Sequence, residues 1–233
     1  MAERELLLHI GTHKTGTTSF QQLMRRNEAR LLKVGVFPVS EPKLSPEHTG
    51  NPFNLRGFAH YFLRPELVTV PRVKGFVRSL SDPERRLYEN AMVERVNASD
   101  AQKVIISAEG LCFFRKQEEQ AALARFLSRI DRSSTAFVVF RDDEAWRKSW
   151  VRECQRYPEV TAALAALPDH RRIEGEWYFD KPAICAFWSE IVPLVQIDYD
   201  QFEDICPELA TRMGVSMNGL VSVDRQNVTP AGG

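Results

Sequence analysis

Short apolar runs recur along the chain at residues 5–10, 34–39, 104–107, 134–140 and 195–199, and their brevity and β-branched or aromatic content predict five strands. Between them, apolar positions return near every 3.6 residues. The first such stretch, residues 17–33, carries Phe20, Leu23, Met24, Leu31 and Leu32 on one face and predicts a helix. Further helices are predicted over 55–63, 83–96, 117–130, 142–157, 182–191 and 202–213. The helix over 83–96 is entered by Ser81 and Asp82, with Pro83 in its first turn. Strands alternating with helices predict an α/β domain, with a mainly parallel sheet between helical layers. Ligands of such sheets bind at the carboxyl ends of the strands, so the chemistry is expected in the loops after Ile10, Ser107 and Phe140. Residues 38–54, rich in Pro, Ser, Glu, Gly and Asn, read as a loop lying over that edge.

Composition narrows the class. At 233 residues, with 43% hydrophobic and 27% charged positions, the chain is expected to form one core over 1–233, without long disorder. The 31 basic and 31 acidic residues cancel, so no net field draws the molecule to nucleic acid or to an anionic membrane. An anion site must therefore be local. Residues 1–35 hold six Lys or Arg against three acids, whereas 174–208 hold nine acids and only Lys181. No run approaches the roughly 18 apolar residues of a membrane span, and the start lacks the order of a secretory signal, so a cytoplasmic location is expected. Cys112, Cys154, Cys185 and Cys206 lack C-x-x-C spacing and a nearby ligating His, which predicts free thiols and neither a metal nor a disulfide.

The densest chemical signal is the run Gly11, Thr12, His13, Lys14, Thr15, Gly16, Thr17, Thr18 and Ser19, at the turn from the first strand into the first helix. Backbone N–H groups and the positive end of a helix dipole converge at such a turn. Two glycines allow close backbone approach, Lys14 adds a point charge, and Thr17, Thr18 and Ser19 add hydroxyl donors. This is a phosphate cradle. It differs from the nucleotide-hydrolase loop G-x-x-x-x-G-K-[ST], because Lys14 precedes the second glycine instead of following it.

Leu8-His9-Ile10-Gly11 followed by Lys14-Thr15-Gly16-Thr17-Thr18-Ser19 resembles the phosphosulfate-binding loop of sulfotransferases that use 3'-phosphoadenosine 5'-phosphosulfate (PAPS). The resemblance implies a second element, a strand ending in Arg with a Ser eight positions later, which together hold the 3'-phosphate. Arg141, after Ala136 to Phe140, and Ser149 have that order and spacing. Weaker similarity covers Trp177 to Asp180, Asp198 to Asp204 and Arg225 to Pro230, the last looking like the closing segment of bacterial members, with Arg225 a further phosphate contact or an exposed tail residue. The family fold is a P-loop-like α/β domain, its product is adenosine 3',5'-bisphosphate (PAP), and it needs no divalent metal.

The resemblance also calls for a base, His or Glu, to take the acceptor's proton. Glu109 directly follows the strand ending at Ser107 and is the first choice, since a carboxyl can serve there when burial raises its affinity for the proton. His48, in the loop before Asn54, and His60, within the following helix, are its competitors. His13 reads as a donor or a structural residue of the phosphate loop. Trp146, Trp150 and Phe20 have the helical spacing of core residues, with adenine walls as the alternative. Arg56, Arg64, Arg72 and Lys74 form either a solvated basic face or a meeting point for an anionic acceptor. The expected reaction is sulfuryl transfer to a hydroxyl of a carbohydrate, glycolipid or secondary metabolite. The alternatives are a small-molecule kinase using ATP, or a nucleotide-binding or partner-binding domain without turnover. With the donor fold occupying most of the chain, the acceptor is expected in a loop-covered cleft or at a site completed by a second subunit of a homodimer.

Overall fold

The computed structural model describes residues 3–42, 55–77, 80–168 and 176–222. Strand β1 (Glu5–Gly11) leads into helix α1 (Thr17–Lys33) and a short β2 (Val36–Pro38). Helices α2 (Arg56–Phe62), α3 (Val70–Val73) and α4 (Asp82–Asn97) precede β3 (Lys103–Ala108), which runs into a 3-10 turn at Glu109–Phe113. Then come α5 (Gln117–Leu127), β4 (Ser133–Phe140), α6 (Asp143–Gln155), α7 (Pro158–Ala165), α8 (Lys181–Ser189), β5 (Leu194–Asp198) and α9 (Ile205–Arg212).

The five strands pair in the order β2-β3-β1-β4-β5, all parallel, which makes β1 the centre of the sheet. Side chains alternate across it. Leu7, Ile105, Phe137, Val139 and Ile197 pack with Phe20 and Leu23 of α1 and Leu209 of α9 on one face. Leu6, Leu8, Ile10, Val104, Ile106 and Val138 pack on the other with Phe58, Met92, Phe126, Trp146 and Trp188. Covering both faces explains why the strands read as continuous apolar runs. The result is the expected three-layer α/β architecture, and among the described residues no helix is long and apolar enough to cross a membrane.

Local signals set several boundaries. Ser81 begins α4 with a capping box: its backbone N–H donates to the Glu84 carboxylate at 2.8 Å, and Pro83 occupies the first turn. The turn at α3 and helix α7 were absent from the periodicity reading, since four and eight residues offer too little pattern.

Candidate functional site

The loop between β1 and α1 emerges at the centre of the carboxyl edge. Gly16 is its hinge, with φ of 81° in the left-handed region, and a Cβ there would meet Ile205 Cγ2 at 2.5 Å. A Cβ on Gly11 would lie 2.3 Å from Thr17 Oγ1, so the loop closes tightly on the first residue of α1. Lys14 also takes a positive φ of 69°, a strained backbone for a residue with a side chain. No acidic residue occupies the first turn of α1 and no side-chain hydrogen bond caps it.

The loop hydroxyls divide into two groups. Thr12 Oγ1 donates to the Val139 carbonyl at 2.6 Å and Thr15 Oγ1 donates to the Thr12 carbonyl at 2.7 Å, so these two buried side chains brace the loop. Thr17 Oγ1 is buried without a hydrogen-bond partner. Thr18 and Ser19 follow in the first turn.

At the β4 side, Arg141 Nη1 donates to the Lys14 carbonyl at 3.4 Å, its guanidinium lies 5.2 Å from the Tyr199 ring centre, and its Nε is buried without a partner. The Arg141 carbonyl receives Lys181 Nζ at 2.6 Å, and Lys181 pairs with Asp143 at 2.5 Å. A cleft of about 430 Å³ opens there, lined by Arg141 and Lys181 together with Asp142, Asp198 and Asp200. Ser149 sits half-buried on α6, and no hydrogen bond joins it to Arg141.

At the β3 side, Glu109 opens the 3-10 turn and its Oε2 lies 4.0 Å from His13 Nε2. The His13 ring packs 4.6 Å from Trp150, 5.3 Å from Phe113 and 5.6 Å from Tyr178, centre to centre. Tyr178 Oη is 2.5 Å from His13 Nδ1, and burial pushes the Tyr178 hydroxyl well above its ordinary pKa, so it keeps its proton. The sequence suggested no such partner for His13.

Other expectations change. His60 is not suited to act as a base: it is buried, its Nδ1 lies 2.8 Å from the Arg56 carbonyl and its Nε2 2.8 Å from Thr69 Oγ1, and burial lowers its pKa to about 4. Arg72 donates to the carbonyls of Leu63, Arg64, Pro65 and Leu67 and Arg64 pairs with the buried Glu119, so these two are structural, whereas Lys74 pairs with Glu159 at the surface. Trp146, Trp150 and Phe20 belong to the core. A wider groove of about 680 Å³ between α2, α4 and α5 is lined by none of the phosphate-loop residues. His48 and Arg225 lie outside the described residues. None of the four cysteines forms a disulfide, and among the described residues no three His, Cys, Asp or Glu gather to hold a metal.

One carboxyl escaped the sequence reading. Glu41, just past β2, accepts the Tyr88 hydroxyl and lies against Gly57 of α2, and burial raises its pKa to about 7. Its only sequence signal was its position after the second strand. His9, beneath the loop, bonds Ser107 Oγ at 2.8 Å through Nδ1, and burial lowers its pKa to about 3.

These three groups predict how stability follows pH. In the unfolded chain the histidines titrate near 6.5 and Glu41 near 4.5. From pH 6.5 down to 4.5, unfolding takes up a proton at His9 and at His60 and releases one from Glu41. The net uptake of one proton lowers stability by roughly 1 kcal/mol per pH unit. Below 4.5 Glu41 is protonated in both states, and the slope steepens until His60 titrates in the folded state near pH 4. Urea midpoints at pH 7.5, 5.5 and 4.5 should decline in that order; equal midpoints would show that the histidines are not buried in neutral form.

No family model matches the chain, and no curated protein matches it. Nine chains of solved structures do. One, named as a "putative kinase" from Chloroflexus aurantiacus j-10-fl, is 11% identical, with a TM-score of 0.40, and the match covers 91% of this chain and 98% of that one. A likeness of that size leaves the chemistry to be read from the site itself.

Proposed function

We propose that the chain moves a sulfuryl group from PAPS to a hydroxyl of a carbohydrate, glycolipid or secondary metabolite. The observation that carries this reading is the meeting of two motifs 127 residues apart: Arg141, from the end of β4, reaches the Lys14 carbonyl inside the phosphate loop. The uncapped, acid-free first turn of α1, the unpartnered Thr17 hydroxyl and the unpartnered Arg141 Nε fit a polyanionic ligand at this edge.

In this reading Lys14, the amides opening α1 and the hydroxyls of Thr17, Thr18 and Ser19 hold the 5'-phosphosulfate, and Arg141 with Ser149 holds the 3'-phosphate. The donor supplies an activated sulfuryl group. Lys14 sets positive charge beside the oxygen that leaves, the principal electrostatic demand of such a transfer. Glu109, on the opposite side of the loop from Arg141, receives the acceptor's proton.

Titration calorimetry with PAP and with ATP–Mg²⁺ tests the reading. PAP is expected to bind at least about tenfold more tightly, and Arg141→Ala to weaken PAP about tenfold while leaving adenosine 5'-phosphosulfate, which lacks the 3'-phosphate, unaffected. Preference for ATP–Mg²⁺ would instead support a small-molecule kinase. Binding of PAP with no turnover of PAPS would support a nucleotide-binding domain.

A further inference from the structure

Holding phosphate requires amides and a cation at the loop, yet His13 is fixed more firmly than that role demands. Tyr178 is fully buried, and its hydroxyl meets His13 Nδ1 at 2.5 Å. Nδ1 is the acceptor available to the buried phenolic proton, and leaving that proton unbonded would cost about 1–3 kcal/mol. The Tyr178 O–H therefore donates to Nδ1, which makes Nε2 the protonated nitrogen of the neutral ring. Trp150 and Phe113 wall the ring, leaving the His13 side chain 17% exposed, and Nε2 faces a carboxylate that is itself 30% exposed.

The separation is informative. At 4.0 Å, His13 Nε2 and Glu109 Oε2 are too far apart for a direct hydrogen bond. An oxygen about 2.8 Å from each closes a triangle with an apex near 90°, somewhat tighter than the roughly tetrahedral angle between a hydroxyl's proton and its lone pair but within the broad range hydrogen bonds tolerate. We propose that His13 Nε2 and Glu109 Oε2 form a two-point seat for the acceptor oxygen, with Nε2–H donating to one lone pair and Glu109 accepting the hydroxyl proton. This rests on the sulfotransferase reading. The second lone pair then forms the new oxygen–sulfur bond and the proton passes to Glu109 Oε2. The sulfur–oxygen bond to the 5'-phosphate breaks, leaving its electron pair on the phosphate oxygen beside Lys14. His13 thus touches the acceptor and keeps its proton, and Tyr178 is the positioning residue that sets the tautomer.

The test uses the full chain and needs no identified acceptor, since water can occupy the seat. In ¹⁵N-imidazole spectra of the wild type, His13 should carry its proton on Nε2, and Tyr178→Phe should bring in the other tautomer. His13→Asn should slow release of PAP from PAPS by about 30-fold or more while PAP binds within about threefold of wild type; Lys14→Ala should impair both. Combining His13→Asn with Glu109→Gln should cost less than the product of the single losses, as for groups acting on one oxygen. A wild-type ring protonated on Nδ1 overturns the seat alone, whether or not any variant folds. So does a His13→Asn chain that loses PAP binding as severely as Lys14→Ala. A wild type that does not bind PAP overturns the donor reading, and the seat with it.

Discussion

Lys14→Ala is expected to lower turnover of PAPS by two to three orders of magnitude, the largest catalytic loss at any single position of the site. Removing one preorganised charge partner of a developing anion has that scale. Lys14 sits with its backbone at φ 69°, between the two glycines of the loop, and its own carbonyl accepts from Arg141. Its charge and its backbone strain can be separated. Lys14→Met keeps the stem and the strain and should be as inactive as the alanine variant. Lys14→Gly should be equally inactive and more stable by about 1 kcal/mol, because only glycine adopts this conformation without a penalty from Cβ. PAP release and urea midpoints measured together check both halves. Wild-type turnover in Lys14→Met would remove Lys14 from the chemistry.

The largest effect on stability is expected away from the loop, at Glu119→Ala. This carboxylate is 2% exposed and saturated: Oε1 accepts the Arg64 amide and Nη1, each at 2.9 Å, and Oε2 accepts the amides of Arg115 and Lys116 at 2.8 and 3.0 Å. The Arg64 side chain is only 9% exposed, so removing its partner leaves a buried unpaired cation. The cost expected is about 3–5 kcal/mol, a large share of an ordinary domain's 5–15 kcal/mol. Glu119→Gln should cost less, because one carbonyl oxygen still accepts two of the four donors. Denaturant unfolding of both variants measures this, and a loss below about 1 kcal/mol for the alanine variant would mean that water replaces the carboxylate. The change should also reach the site. Arg64 and Arg115 both lie over the Trp177 ring, at 5.0 and 5.5 Å, and Trp177 precedes the tyrosine that holds His13.

Much of the architecture was legible in the chain, because helices that cover both faces of a parallel sheet leave short unbroken apolar runs for strands and a 3.6-residue stripe for helices. All five strands and seven of the helices follow from that rule, and the glycine and threonine loop announces its own position. The site was legible only as far as neighbours in sequence define it. His60 looked like a candidate base until Arg56 and Thr69 were seen to occupy both ring nitrogens. Arg72 looked like a solvated charge, whereas it gathers four carbonyls of the turn before it. Glu41 looked like a loop residue until Tyr88 and the start of α2 enclosed it. In each case the deciding group comes from the packing of a turn or from a distant helix, which periodicity does not encode. His13 is the clearest example, since its partner Tyr178 lies 165 residues away.

The central place of β1 also bears on how the protein is made. Strand β1 leaves the ribosome before its sheet partners and finds them only when β3 and β4 follow, with Glu5 facing Lys103 on one side and Ser133 on the other. At roughly 5–20 residues per second, that interval is on the order of ten seconds. Throughout it the apolar segment Leu6 to Ile10 has no edge to join, and the phosphate loop lacks the Val139 carbonyl that anchors Thr12. Until β3 is made, the nascent chain therefore carries this apolar strand unsheltered, which makes it a natural target for a chaperone that recognises extended apolar segments.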